Sequence, residues 1–556
     1  MTTAPQIIPA PAVVDGDPSG GFTFAASTPI VVESPALAAV ARRFAADVAA
    51  DTGIEASVIE SAGAADPGDA LAVRILLGDT GLEGVALAGG VRADGASAEA
   101  ADERHGVDVS PERVLVWGPT PEAVHRGLTS LRQLVAAAAS GGAAELSAVR
   151  LLDGPRFAWR SLTLDTARTF HDVESVERVL DMLSLYKLNV LHLHLTDDQG
   201  WRIEVPSRPA LTEVGATGAV GERPGGYFSV DDIAGLVAYA ADRFVTLVPE
   251  IDMPGHAAAI FASYPELAPR LAGPDLAIEG LPVAIGTLDP ARPEVWRFVE
   301  DVLDAVIPQF PQSAYLHIGG DEAFGMDEAD HAAFVARAVE LVRERGRKAV
   351  GWQEAARADL GDDVLVQHWI DTPPQAVEVL RGRVPEPLLE VLGANLRAAV
   401  TDVPRALAQR NRLIVSPTQR LYFDSPFGDA STDPAQNAVR ARLGMPFYPP
   451  QSVRRGVEWD PVADVAHVTD EDQVAGVEGA VWCETVTGRD DLELLLLPRL
   501  PGLAEKGWAT AGATDWDDYR ARLAPQSAVW SRRGWNWYRA DSVEWESSPV
   551  GAHASA

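Results

Sequence analysis

From residue 155 onward, short apolar runs alternate with longer stretches in which apolar positions recur every three or four residues. The short runs fall at 161–164, 189–195, 244–248, 314–318, 348–351, 364–367, 412–415 and 477–481. Helical periodicity occupies 173–188, 230–243, 292–307 and 328–345, the last stopped by Gly346. In the first of these, Val173, Val176, Leu180 and Leu183 share one face of a helix. Near-continuous apolar strands alternating with amphipathic helices predict right-handed βαβ units around a sheet buried on both faces. Eight such strands are the number a (β/α)8 barrel needs. The connection 371–411 is long for one crossover and reads as an insertion of two helices, 375–383 and 386–407, interrupted at Pro385.

Before a seam at Asp153-Gly154-Pro155 the pattern differs, being rich in Ala, Gly and Asp and poor in aromatics. Runs at 29–33 and 72–77 read as strands, and 36–50 as a helix introduced by Ser34 and Pro35. Residues 106–117 read as a hairpin turning at Ser110-Pro111-Glu112, followed by a helix over 120–136 capped by Thr120. The expected organisation is an α/β chain: a small α+β accessory domain over 1–153, a barrel over 154–545 and a tail over 546–556. The first domain carries no catalytic cluster and reads as a packing partner.

Composition narrows the partners. With 80 acidic and 46 basic side chains, a net charge of −34 argues against nucleic acid or an anionic membrane surface. The single cysteine, Cys483, excludes a disulfide framework and a Cys-rich zinc module. The greasiest run, 494–497, is far too short to span a bilayer. Residues 1–22 show neither a basic nor an apolar leader segment, so a cytoplasmic location is the expectation.

Polar and aromatic residues collect where the predicted strands end, the rim at which a barrel places its chemistry. These ends read Asp165-Thr166-Ala167-Arg168, Thr196-Asp197-Asp198, Glu250-Ile251-Asp252-Met253-Pro254-Gly255-His256 and Gly319-Gly320-Asp321-Glu322. Trp352, His368-Trp369, Tyr422-Phe423-Asp424 and Trp482-Cys483-Glu484 complete the set. Carboxylates, an arginine and several indoles suit a sugar, whose hydroxyls take hydrogen bonds while its C–H faces pack on aromatic rings. Glycoside cleavage needs an acid for the leaving oxygen and a nucleophile for the anomeric carbon. Adjacent residues on a regular strand face opposite ways, so Asp321 and Glu322 share a site only if the backbone is irregular, a freedom Gly319-Gly320 supplies.

The run His317-Ile318-Gly319-Gly320-Asp321-Glu322 resembles glycoside hydrolase family 20, the β-N-acetylhexosaminidases. So do Leu193-His194-Leu195-Thr196-Asp197-Asp198-Gln199-Gly200-Trp201 and Pro249-Glu250-Ile251-Asp252-Met253-Pro254-Gly255-His256. The resemblance implies an exo-acting, retaining hydrolase of terminal β-linked GlcNAc or GalNAc, in which the substrate's own 2-acetamido oxygen is the nucleophile. Its partner would be an oligosaccharide or glycoconjugate. It further implies Glu322 as acid and base, Asp321 orienting the acetamido group and Tyr422 hydrogen-bonding its oxygen. Trp352, Trp369 and Trp482 would wall the pocket, with Arg168, Asp424 and Glu484 on the sugar hydroxyls. Asp197, His256 and Asp252 would tune Glu322 from behind, and no metal or organic cofactor is implied. Thr169 stands where the family usually has His, and Gln353 where an acidic residue is common. Residues 371–411 and 428–460 depart most and border the leaving-group side.

Each residue also has a plainer reading. His192 and His194, alternating with leucines, read as hydrogen-bonded barrel-core histidines, as does His317; Asp198 and Glu250 read as scaffold and Cys483 as a buried spacer. Two rival functions remain at this level. One is a metal-dependent barrel hydrolase using His192, His194, His256, His317 and His368; the other is a catalytically silent sugar-binding barrel.

Overall fold

Eight parallel strands close into a barrel: β1 (Trp159–Asp165), β2 (Val190–His194), β3 (Thr246–Met253), β4 (Tyr315–Gly319), β5 (Lys348–Trp352), β6 (Leu365–His368), β7 (Arg412–Val415) and β8 (Val474–Val481). Each pairs with its neighbour in chain order, and β8 returns to β1, with Gly476 opposite Trp159. This is the expected (β/α)8 class. The computed structural model describes residues 5–60, 71–269, 276–278, 281–283 and 286–545, so the tail expected at 546–556 lies outside the described residues.

The barrel interior is layered because inward positions recur every second residue. At the N-terminal end each strand gives one apolar side chain: Trp159, Val190, Val248, Tyr315, Val350, Leu365, Ile414 and Ala475. Two residues further along β2 to β6 come His192, Glu250, His317, Trp352 and Gln367, all buried. A polar layer therefore sits on an apolar plug, and the rim begins above it.

Amphipathic helices α1 (Val173–Leu185), α2 (Val230–Ala241), α3 (Pro293–Val306) and α4 (Glu328–Glu344) cover the outside. Asp172, Ser229 and Asp327 cap α1, α2 and α4 by accepting from backbone N–H groups in the first turn. In the insertion the expected first helix is a 3-10 turn, Pro374–Leu380, and the second is broken into α5 (Glu386–Ala399) and α6 (Asp402–Ala408). Pro404 explains the break: it lacks the N–H a continuous helix would use, and its ring would clash with the carbonyl of Val400.

The N-terminal region is a mixed sheet of eight strands. Helices Ala38–Thr52 and Pro121–Ala138 pack against each other beside it and share its apolar core. Ser34 precedes a 3-10 turn and makes no side-chain cap, whereas Thr120 accepts from the Ala123 N–H at 3.0 Å. The sequence reading missed the long antiparallel pair Val13–Ala25 and Ala143–Asp153. The joint to the barrel is ionic: Arg160 on β1 clasps Glu103 through both nitrogens at 3.0 and 2.6 Å, and Lys187 reaches Asp153 at 2.8 Å. No helix among the described residues is long and apolar enough to cross a membrane.

Candidate active site

The polar layer under the rim is organised by two buried carboxylates. Glu250 lies 2.5 Å from His194 Nδ1, 3.2 Å from His192 Nε2 and 3.0 Å from His317 Nδ1, and accepts from the Trp352 indole at 2.9 Å. Glu478 accepts from Thr163 at 2.5 Å, Gln367 at 2.9 Å and Ser161, and lies 2.8 Å from His192 Nδ1. Burial opposes charge on His192, but Glu478 and Glu250 outweigh it and raise the imidazole to about 9. The same attraction, against burial, holds Glu478 down at about 2. His192 thus lies between two carboxylates that favour its charged form, Nδ1 bonded to Glu478 and Nε2 facing Glu250. His368 stands apart, bonded to Gln353 at 3.0 Å. Carboxylates thus pair with His192, His194 and His317, and Glu250 also fixes the pocket indole of Trp352.

Above this layer β4 ends in irregular backbone, with Gly319 at φ +70°, Gly320 at +98° and Glu322 at +44°. A Cβ on Gly319 would lie 1.6 Å from Asp252 Oδ1, so the close approach of the two strand ends requires glycine. Left-handed backbone at a glutamate is strained and is found where a site holds a side chain in place. The result is convergence: Asp321 Oδ2 and Glu322 Oε2 lie 3.6 and 3.8 Å from the same atom, His256 Nε2. His256 Nδ1 faces Asp197 Oδ2 at 3.2 Å, and that oxygen also meets His194 Nε2 at 3.0 Å and Arg168 at 2.9 Å.

Electrostatics separates the carboxylates in this chain. Burial, with a smaller contribution from the charge of Asp321, raises Glu322 to about 7 even though His256 opposes the shift. Asp252 is pushed far up by burial and then by Asp321. His256 is raised despite burial, because Asp197, Asp252 and Asp321 surround it. Asp197 goes the other way, held well below the usual carboxylate range by Arg168 and His256 against the pull of burial. Glu322 is thereby poised to carry a proton near neutral pH beside the low-lying carboxylate of Asp197.

Aromatic rings wall the cavity. Trp369 and Tyr422 are parallel within 3° with centroids 6.2 Å apart, and Trp352 and Trp482 lie 5.8 Å apart beneath them. Burial raises the Tyr422 phenol, keeping it a donor. Arg168, Asp424 and Glu484 also line the cavity, and Arg168 sits over the Trp482 ring at 5.1 Å. Both oxygens of Asp424, Glu484 Oε2, Asp321 Oδ1 and Arg168 Nε are buried without a hydrogen bond inside the protein. Buried polar atoms are normally paired, so these mark positions prepared for a polar ligand.

All twelve residues singled out by sequence line this one cavity: Arg168, Asp197, Asp252, His256, Asp321, Glu322, Trp352, Trp369, Tyr422, Asp424, Trp482 and Glu484. His194 and Asp198, read as scaffold, border it as well, and Asp198 also accepts from the Ala258 N–H at 3.0 Å. Residues not foreseen are Gln199, Val220, Phe324, Glu354, Leu380, Leu392, Met445, Phe447 and Tyr448. Glu354 accepts from the Trp369 indole at 3.1 Å, and the others line the cavity. Tyr448 packs edge-on against Tyr422. Cys483 is fully buried and outside the lining, and burial pushes its thiol far up. Thr169, in the place of the usual histidine, ties the β1 and β8 loops by donating to the Cys483 carbonyl at 2.9 Å and accepting from Arg223 at 2.6 Å. Gln353 accepts from the backbone of Trp369 and Ile370 at 3.1 and 2.8 Å, so its amide oxygen holds the pocket wall where a carboxylate is common.

The family model for the glycosyl hydrolase family 20 catalytic domain matches residues 157–383 and 397–511, and that family's domain 2 matches 4–153. The chain belongs to glycoside hydrolase family 20. Among other members, a Cellulomonas fimi β-N-acetylhexosaminidase is 35% identical over 80% of this chain and 82% of its own length. A Porphyromonas gingivalis β-hexosaminidase is 29% identical over 74% of the chain, which spans about half, 51%, of that longer family 20 protein. In structure, the Streptomyces plicatus N-acetyl-β-hexosaminidase complexed with Thio-NAglucal superimposes with a TM-score of 0.81, at 33% identity and covering 98% of both chains. A mutant of that family 20 enzyme holds its product, GlcNAc. This chain is therefore a glycoside hydrolase, and the silent-barrel and metal-hydrolase readings give way to family 20 chemistry.

Proposed function

We propose that this family 20 enzyme is an exo-acting β-N-acetylhexosaminidase that removes terminal GlcNAc or GalNAc with retention, by substrate-assisted catalysis. The observation that carries this is the convergence of Asp321 and Glu322 on one nitrogen of His256. Adjacent in sequence and gathered on one imidazole, these two carboxylates suit an acid and an orienting partner better than the acid and nucleophile of an ordinary retaining pair, which flank the bond from different parts of the fold. The nucleophile in this reading comes from the sugar, whose 2-acetamido oxygen can close on C1. Glu322 protonates the leaving oxygen as the acetamido oxygen closes on C1, giving an oxazolinium ion. Asp321 accepts the acetamido N–H and balances the positive charge, while the Tyr422 hydroxyl donates to the acetamido oxygen. Glu322, now ionised, takes a proton from the water that opens the ring. Arg168, Asp424 and Glu484 hold the 3-, 4- and 6-hydroxyls, which suits a terminal residue and no longer chain at that end. The homologues' names and the GlcNAc seen with the S. plicatus enzyme support the substrate class.

The test combines hydrolysis of an aryl β-N-acetylglucosaminide with inhibition by a thiazoline that mimics the oxazolinium. Glu322→Gln should lower kcat/KM on an alkyl glycoside about 10³- to 10⁴-fold, with a smaller loss on a nitrophenyl glycoside that needs little acid help. Near-normal hydrolysis of the alkyl glycoside by this variant would remove Glu322 from its role, and sugar binding without any turnover would remove the activity.

A further inference from the structure

The stretch 384–396, which the family model passes over, builds part of the cavity. It carries most of α5, which with the preceding 3-10 turn forms its own small apolar core of Val377, Val384, Leu388 and Leu389. From this unit Leu380 and Leu392, both half-buried, face the catalytic cavity. The unit is also tied to the pocket wall. Asn395 on α5 donates to Glu354 Oε1 at 3.5 Å and accepts from Arg357 at 3.2 Å, and the other oxygen of Glu354 takes the Trp369 indole at 3.1 Å. Arg357 is in turn clamped on Asp402 of α6 at 3.0 and 2.8 Å. The leucine pair is therefore held at a set distance from Trp369.

Its place in the cavity follows from the barrel. Arg168 and Glu484 stand three residues past their strand ends and Asp424 nine, whereas Leu392 stands 24 residues beyond the end of β6, in the half-buried connection that walls the cavity there. Glu322, at 28% exposure, is more open to solvent than Asp321 at 14%, so the acid is the outward member of the pair. If the terminal sugar occupies the inner end, as the proposed function requires, the leaving group extends past Glu322 toward this wall. Across the ring, four strands away, the β2 loop offers the polar Asp198 and Gln199, while Leu380, Leu392 and Phe324 offer no hydrogen bond. Hydroxyls pressed against such a wall would lose water and gain no partner, which costs free energy, whereas an apolar face gains by burial.

We propose that α5 and the turn before it are a leaving-group platform, with Leu380 and Leu392 selecting glycosides whose aglycone is alkyl or aryl over those whose leaving group is a sugar. The proposal rests on the β-N-acetylhexosaminidase reading of the site, and the experiment keeps the two apart. Methyl, butyl and octyl β-N-acetylglucosaminides, used below micelle-forming concentrations, are compared with N,N′-diacetylchitobiose. The three alcohols leave with nearly equal ease, so kcat/KM differences among them report contacts made in the transition state rather than chemistry. A rise of about tenfold from methyl to octyl is expected, equivalent to burying about two methylenes, with the octyl glycoside cleaved more efficiently than the disaccharide. In Leu392→Asn the octyl-to-methyl ratio should fall to about threefold or less. The wild-type series decides the matter however well the variant folds. A flat alkyl series, or a disaccharide preferred over octyl, overturns the platform while leaving the activity in place. No turnover of any of these or of the aryl glycoside overturns the activity, and the platform with it.

Discussion

At the joint between the N-terminal sheet and the barrel, both oxygens of Glu103 are bonded, one to Arg160 at 3.0 Å and the other to Arg160 and Arg126 at 2.6 and 2.9 Å. In the pocket, the two oxygens of Asp424 are equally buried and accept from no side chain. Burial pushes both carboxyls up. At Glu103 three guanidinium groups, of Arg160, Arg126 and Arg92, win and hold it at about 2, whereas at Asp424 burial prevails and the charge of Glu484 adds to it. The contrast separates two uses of a buried acid. One is complete within the chain and locks two domains together, and the other is left incomplete so that a substrate hydroxyl completes it. Net charge of −34 conceals both, since neither carboxylate is part of the solvated surface.

The largest effect on this comparison should come from Glu103→Gln. It leaves Arg160 buried without its counter-charge, while Arg126 keeps Glu122 at 2.7 Å, at a cost of about 3–5 kcal/mol in unfolding free energy. Because Glu103 is held below its unfolded value, its contribution is present above about pH 4 and fades as pH falls toward 2. Denaturant titrations should show wild type and variant far apart at pH 7 and converging below pH 4. Equal stabilities at pH 7 would mean the joint is held by packing instead. Asp424→Asn should behave in the opposite way. Removing an acid that burial disfavours leaves the melting temperature at or above that of the wild type. Yet kcat/KM for an aryl β-N-acetylglucosaminide drops about 10- to 100-fold, the cost of leaving a buried hydroxyl without its carboxyl partner. A variant that loses stability and keeps its rate would reverse the two assignments.

How much of this was legible beforehand depended on geometry. The eight barrel strands stood out because each carries a short, largely apolar run buried on both faces, and their strand-end residues share a pocket because parallel strands all deliver their ends to one mouth. The irregular backbone at Glu322 was anticipated from Gly319-Gly320, whose positive φ values only glycine adopts freely. The strand Val13–Ala25 was hidden by the run Asp15-Gly16-Asp17-Pro18-Ser19-Gly20-Gly21, where pairing shifts register between Gly16 and Gly21. Met445, Phe447 and Tyr448 were hidden for another reason. They reach the cavity from a long loop with no strand to aim them, so no periodicity points inward. Glu354 sits two residues past Trp352, on a 3-10 turn that bends it under Trp369, a placement strand alternation does not foresee. The catalytic end of the pocket was thus readable from local pattern, and the leaving-group end was not.

The smallest effect concerns the proton on Glu322. Burial raises this carboxyl to about 7, so as a general acid it is competent below that pH and is lost above it. The kcat/KM profile for an alkyl β-N-acetylglucosaminide should therefore bend downward near pH 7 and fall about tenfold per further unit, since this parameter reports the free enzyme. A nitrophenyl glycoside, whose leaving group needs little protonation, should show a shallower limb at the same position. His256 supplies the sharper check, because its positive charge opposes the upward shift. His256→Asn removes that charge while Asp321 remains, so the limb should move to higher pH even as the overall rate declines. Movement to lower pH would mean that His256 raises Glu322 rather than restraining it, and that burial is not the dominant cause of the shift.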